Sequence, residues 1–80
     1  MSVVTHHAHD RARERGISSA DLELVRRHGH PSWNGRSCVL SLVGVRRPAE
    51  VSSSAWRSAR SVVVVENEGV VVTVWREGGR

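Results

Sequence analysis

The chain has 80 residues, enough for one domain with a thin core, since a chain this short buries only about 60% of its unfolded surface. A single cysteine, Cys38, excludes an internal disulfide, and the longest apolar runs, Val62 to Val65 and Val70 to Val72, are far too short to span a membrane as a helix. The formal charge of +4 rests on arginine alone, with no lysine, which points to nucleic acid or an acidic protein as partner; no signal-peptide pattern follows Met1, so the expected compartment is the cytoplasm.

Thr5 to Arg15 reads as a helix, with Ala8 and Ala12 four apart and Gly16 as its stop. Ser18 and Asp21 have the spacing of a capping box, and Ile17 and Leu22 that of a hydrophobic staple. They predict a second helix over about Ser19 to His28, closed by Gly29 and Pro31. Trp33-Asn34-Gly35 reads as a turn. From Ser37 the period changes to that of a strand, apolar on both faces, running through Cys38, Leu40 and Leu42 and ending at Arg46-Arg47-Pro48. Glu50 to Ala59 fits either a short helix around Trp56 or a loop pinned by it. Val62 to Glu66 and Val70 to Arg76 are β-branched runs, and Asn67, Glu68 and Gly69 between them predict a hairpin with a three-residue loop. Strict alternation puts Val72, Val74 and Arg76 on one face of the last strand and Val71, Thr73 and Trp75 on the other.

All five histidines lie in the first thirty residues. His7, Arg11 and Arg15 are spaced four apart, which stacks one imidazole and two guanidinia on one side of the first helix. An anion between them would relieve their mutual repulsion. Metal-independent RNA cleavage uses these residue types: a base or acid near neutrality, a cation for the charge that builds on phosphorus oxygens, and a hydroxyl such as Thr73 to hold an oxygen.

The run His7-Ala8-His9-Asp10-Arg11-Ala12-Arg13-Glu14-Arg15-Gly16-Ile17 matches the pattern H-A-x-x-R-x-x-x-R-G-I. With the later helix, strand and Val72-Thr73-Val74-Trp75 ending, it resembles a widespread bacterial family of small domains that is similar to the barnase–EndoU–colicin–RelE superfamily of toxin ribonucleases. The resemblance covers roughly Thr5 to Arg76. It implies an α+β fold, a single RelE-like domain over residues 1–80, with two N-terminal helices on a three- to four-stranded curved antiparallel sheet and a cleft between the first helix and the sheet. By resemblance His7, Arg11 and Thr73 would be catalytic, with Arg15 as an RNA contact; Arg76 and Trp75, on the last strand, are further candidates for RNA contact. An antitoxin or immunity protein would then cover the cleft. The absence of Tyr and Lys departs from the RelE-like pattern and rules out copying that mechanism.

The expected function is therefore a small ribonuclease of the toxin type that needs no metal or other cofactor. The alternatives are a nucleic-acid-binding module without catalysis, and a protein-interaction or inhibitor domain. A homodimer would supplement the thin core. A metal site from His7, His9, His28 and His30 would need three or four converging ligands, with only Asp10 and Cys38 to add. Trp33, Trp56 and Trp75, the only aromatics, suit packing, and Trp75 shares a strand face with Thr73 on which a base could stack.

Overall fold

The computed structural model describes residues 3–77; positions 1–2 and 78–80 of the expected domain lie outside them. The fold is α+β. In chain order it comprises β1 (Val3–Val4), α1 (His6–Glu14), α2 (Ser19–His28), β2 (His30–Asn34), β3 (Ser37–Ser41), α3 (Ser53–Arg60), β4 (Val62–Asn67) and β5 (Val70–Arg76). The sheet order is β1-β5-β4-β3-β2, with β2 to β5 antiparallel and β1 parallel to β5 at the edge.

The helices begin where hydroxyl groups satisfy free backbone donors. Thr5 Oγ1 accepts from the Ala8 amide at 3.1 Å and opens α1. In α2, Ser18 Oγ accepts from the Asp21 amide at 3.1 Å while Asp21 Oδ2 accepts from the Ser18 amide at 3.2 Å, the reciprocal box read from the sequence. Ser52 opens α3 in the same way through the Ala55 amide. The segment around Trp56 is thus a helix, and Trp56 and Ala59 are its buried residues.

The sheet differs from the expected one in several ways: β1 adds a fifth, parallel strand, and β3 stops at Ser41, short of Arg46. Trp33 and Asn34, expected in a turn, end a strand, His30–Asn34, which is exposed along its length and tolerant of Pro31 because it lies at the edge. Its turn is Gly35-Arg36, with Gly35 at φ +64°, a position that favours glycine. The sheet is open and uncurled rather than curved. Among the described residues its antiparallel ladders contain one register shift, whereas strong curvature is built from repeated bulges. That shift, between Val65 and Glu66, adds Val72 to β5 and turns Val71 onto the same face as Val74, overriding strict alternation.

All three helices cover one sheet face. Ala8 and Ala12 of α1, Ile17, Val25 of α2, and Trp56 and Ala59 of α3 share a core with Cys38, Leu40, Leu42, Val62, Val64, Val71 and Val74. Each buried valine contributes roughly 1.5–3 kcal/mol relative to exposure. Among the described residues no helix covers the other face, which carries Val39, Val63, Val65, Thr73 and Trp75.

The β4–β5 connection is tighter than expected. Asn67 pairs with Val70, so the loop is Glu68-Gly69, and both residues have positive φ, 52° and 82°. Such turns favour Asn-Gly, and a glutamate there is strained. The ion pair from Glu68 to Arg36 spans 3.4 Å on the surface and adds little. Glu68→Asn is therefore expected to stabilise the protein by about 0.5 kcal/mol. An unchanged or lowered urea midpoint would show that the glutamate is not strained.

Candidate functional site

His7 and Arg11 lie four apart on α1, whereas Arg15 is its C-cap, and packing decides where they point. Ala8 and Ala12 form the buried stripe against β5, and the three cationic positions, each offset from that stripe, are exposed. Arg11 Nη1 lies 3.7 Å from Glu14 Oε1, and His6 Nδ1 lies 3.3 Å from Asp10 Oδ2. Arg13 and Arg15 have no ion-pair partner among the described residues. The open depression on this helix is lined by Asp10, Arg13 and Glu14, not by the expected trio.

Thr73 is not brought to them. It pairs with Val65, and both stand on the helix-free face, whereas their neighbours Val64 and Val74 are in the core beneath the helices. Trp75 shares the open face with Thr73, and its indole N–H donates to Glu77 Oε2 at 2.9 Å. The structure thus separates His7 and Arg11 from Thr73 by the thickness of the sheet.

Arg76 lies on the core face at the end of β5, where its guanidinium is already engaged. Nη1 donates to Ser58 O and Ser61 Oγ, both at 2.9 Å, and Nη2 donates to Gly16 O at 3.1 Å and lies 3.6 Å from Asp21 Oδ2. A cation that meets the carbonyls at the ends of α1 and α3 complements both helix dipoles. The structure gives Arg76 the part of a staple between these helices and leaves it little freedom to contact RNA. Asp21, buried at 5% exposure, completes the staple by also accepting from Ser58 Oγ at 2.9 Å.

A second clasp joins α2 to the β4–β5 hairpin. Arg26 pairs with Glu66 and donates through Nη2 to Gly69 O at 3.2 Å. His28 packs a tilted ring on Trp56, with centroids 5.9 Å apart. Cys38 is buried in the core. Among the described residues no three His, Cys, Asp or Glu side chains are grouped to hold a metal.

Sequence reasoning missed Arg57 and Arg60, in the last turn of α3. With Val43, Ser61 and Glu77 they line an open cavity at the same end of the sheet as Arg76. The signal was an Arg-x-x-Arg spacing, legible only once this segment is known to be helical. No family model matches the sequence, and no curated protein or solved structure matches it either.

Proposed function

We propose that this chain is an RNA-binding module that holds the phosphate backbone along the exposed side chains of α1. The observation that carries the reading is that α1 presents His7, Arg11 and Arg13, and its C-cap Arg15, to solvent, while Asp10 pairs with His6 and Glu14 with Arg11. Arginine forks unmatched by local carboxylates suit phosphate contacts, and such contacts make affinity depend on salt. Such a role fits a cytoplasmic protein. An acidic partner, such as an antitoxin or immunity protein, would compete for the same surface.

Cleavage is the less favoured reading. A base and the groups that stabilise one phosphodiester must lie within hydrogen-bond reach of it, and Thr73 stands across the sheet from His7. A ribonuclease would have to do without Thr73, using α1 groups alone.

The test is fluorescence anisotropy with single-stranded RNA over a range of salt. Affinity should fall steeply as salt rises, and Arg13→Ala with Arg15→Ala should lower the log–log slope by about 1.4, the share of two phosphate contacts on a single strand. Affinity indifferent to salt, or a slope untouched by the double change, would remove the proposal. RNA fragments produced by the wild type and lost in His7→Ala would restore the ribonuclease reading in its place.

A further inference from the structure

The cavity at the end of α3 has the chemistry of a phosphate pocket. Its volume is about 460 Å³, and its walls are Val43, Arg57, Arg60, Ser61 and Glu77. That volume lies within the roughly 300–1,000 Å³ of small-ligand clefts. Arg57 and Arg60 are three residues apart on one helix, which puts both guanidinia on the same side. Both are exposed, and neither has an ion-pair partner among the described residues.

Arginines in a last helical turn often do no more than offset the dipole. Here Arg76 already donates to Ser58 O at that end, so part of this duty is taken. Ser61 Oγ accepts from Arg76 Nη1, which leaves the serine O–H as a donor to a further partner. Val43 is 63% exposed at the tip of a turn closed by the Val45 amide on Leu42 O, at 2.9 Å, and gives the cavity an apolar wall. Glu77 is its one acid. One of its oxygens is held by the Trp75 indole, and the other has no hydrogen-bond partner among the described residues.

We infer that this cavity binds the terminal phosphomonoester of an RNA strand. Two guanidinia and a hydroxyl offer enough donors for three non-bridging oxygens and a charge near −2. A bridging phosphodiester has two such oxygens and a single charge, so the donor set exceeds what an internal linkage can use. Val43 faces the first nucleoside, and the second Glu77 oxygen accepts from a sugar hydroxyl. Arg76 donates to Gly16 O on one side and to Ser58 O and Ser61 Oγ on the other, so this pocket lies near the end of the α1 track. The assignment of RNA rests on the binding mode proposed above, whereas the phosphate pocket itself does not.

The experiment compares one RNA sequence carrying a 5′-phosphate, a 3′-phosphate or neither. Adenosine monophosphate is titrated separately while the Val43 and Ser61 amides are followed by NMR. One phosphorylated strand should bind about tenfold tighter than the unmodified strand, a gain of about 1.4 kcal/mol, and which one identifies the end recognised. Arg57→Ala with Arg60→Ala should erase that difference, and Glu77→Gln should widen it. Both arginines are exposed, so circular dichroism of the double variant should match the wild type. If no RNA binds but the monophosphate shifts both amides, and the double variant abolishes the shift, the pocket stands and the RNA reading falls. Equal affinity for all three strands together with unmoved amides overturns the pocket. A phosphate preference that survives the double variant overturns it as well.

Discussion

Gly29→Ala is expected to destabilise the protein by about 3 kcal/mol, the upper end of the cost of overpacking. Gly29 closes α2 through its N–H to Val25 O at 2.8 Å and leads directly into β2. A Cβ there would lie 2.4 Å from Val25 O, 3.2 Å from Ser41 N and 3.3 Å from Leu40 Cβ. Two of these atoms are backbone and the third belongs to a buried core residue, so relief requires both turning the chain away from Val25 O, at the expense of the closing hydrogen bond, and parting the helix end from β3. The backbone at Gly29, φ −64° and ψ 149°, is open to any residue, so the requirement is for space. In a domain of this size the loss corresponds to a fall of roughly 12–24 °C in Tm. A Tm within a few degrees of wild type would show that the helix end can move away at little cost.

Asp21→Ala is expected to cost a similar amount, about 3 kcal/mol, because one carboxylate serves three elements. It accepts from the Ser18 amide at the start of α2 and from Ser58 Oγ on α3, and it lies 3.6 Å from Arg76 Nη2. Loss of the capping bond alone is worth about 1 kcal/mol. The remainder comes from leaving the Ser58 hydroxyl and the half-buried Arg76 guanidinium without their anion. Asp21→Asn keeps one acceptor oxygen and should lose about half as much. A double-mutant cycle checks the mechanism: Arg76→Ala should cost less in the Asp21→Ala background than in the wild type. Strict additivity would mean that the two side chains act separately.

Local chemistry was readable and long-range placement was not. Thr5, Ser18 and Asp21 act within three residues of themselves, so their caps could be read directly. The valine runs revealed the hairpin, though not the bulge that turns Val71 inward, because a bulge answers to the partner strand. β2 was missed because Pro31, Asn34 and Gly35 are turn formers; pairing with β3 outweighs their preferences. At the candidate site, the four-residue spacing puts His7 and Arg11 on one side of α1, but Arg15 is its C-cap, and where that side faces depends on which side of α1 meets β5. Thr73 looked available for the same reason, since alternation assigns it a face but does not say which face the helices cover. Arg76 looked free because its partners lie 15, 18 and 60 residues away.

The pairing of β1 with β5 also orders events during folding. Thr5 bonds to Val71 O and Val72 O, the latter across 67 residues, and α1 has no wall for Ala8 and Ala12 until Val71 and Val74 are in place. On a ribosome the first helix therefore emerges long before the surface it packs on. The hairpin of β4 and β5, with β3 beside it, can form from nearby segments, whereas closing so long a loop is entropically slow. The helix that displays the arginines is thus expected to dock late, with its small apolar stripe open until then to whatever the nascent chain meets.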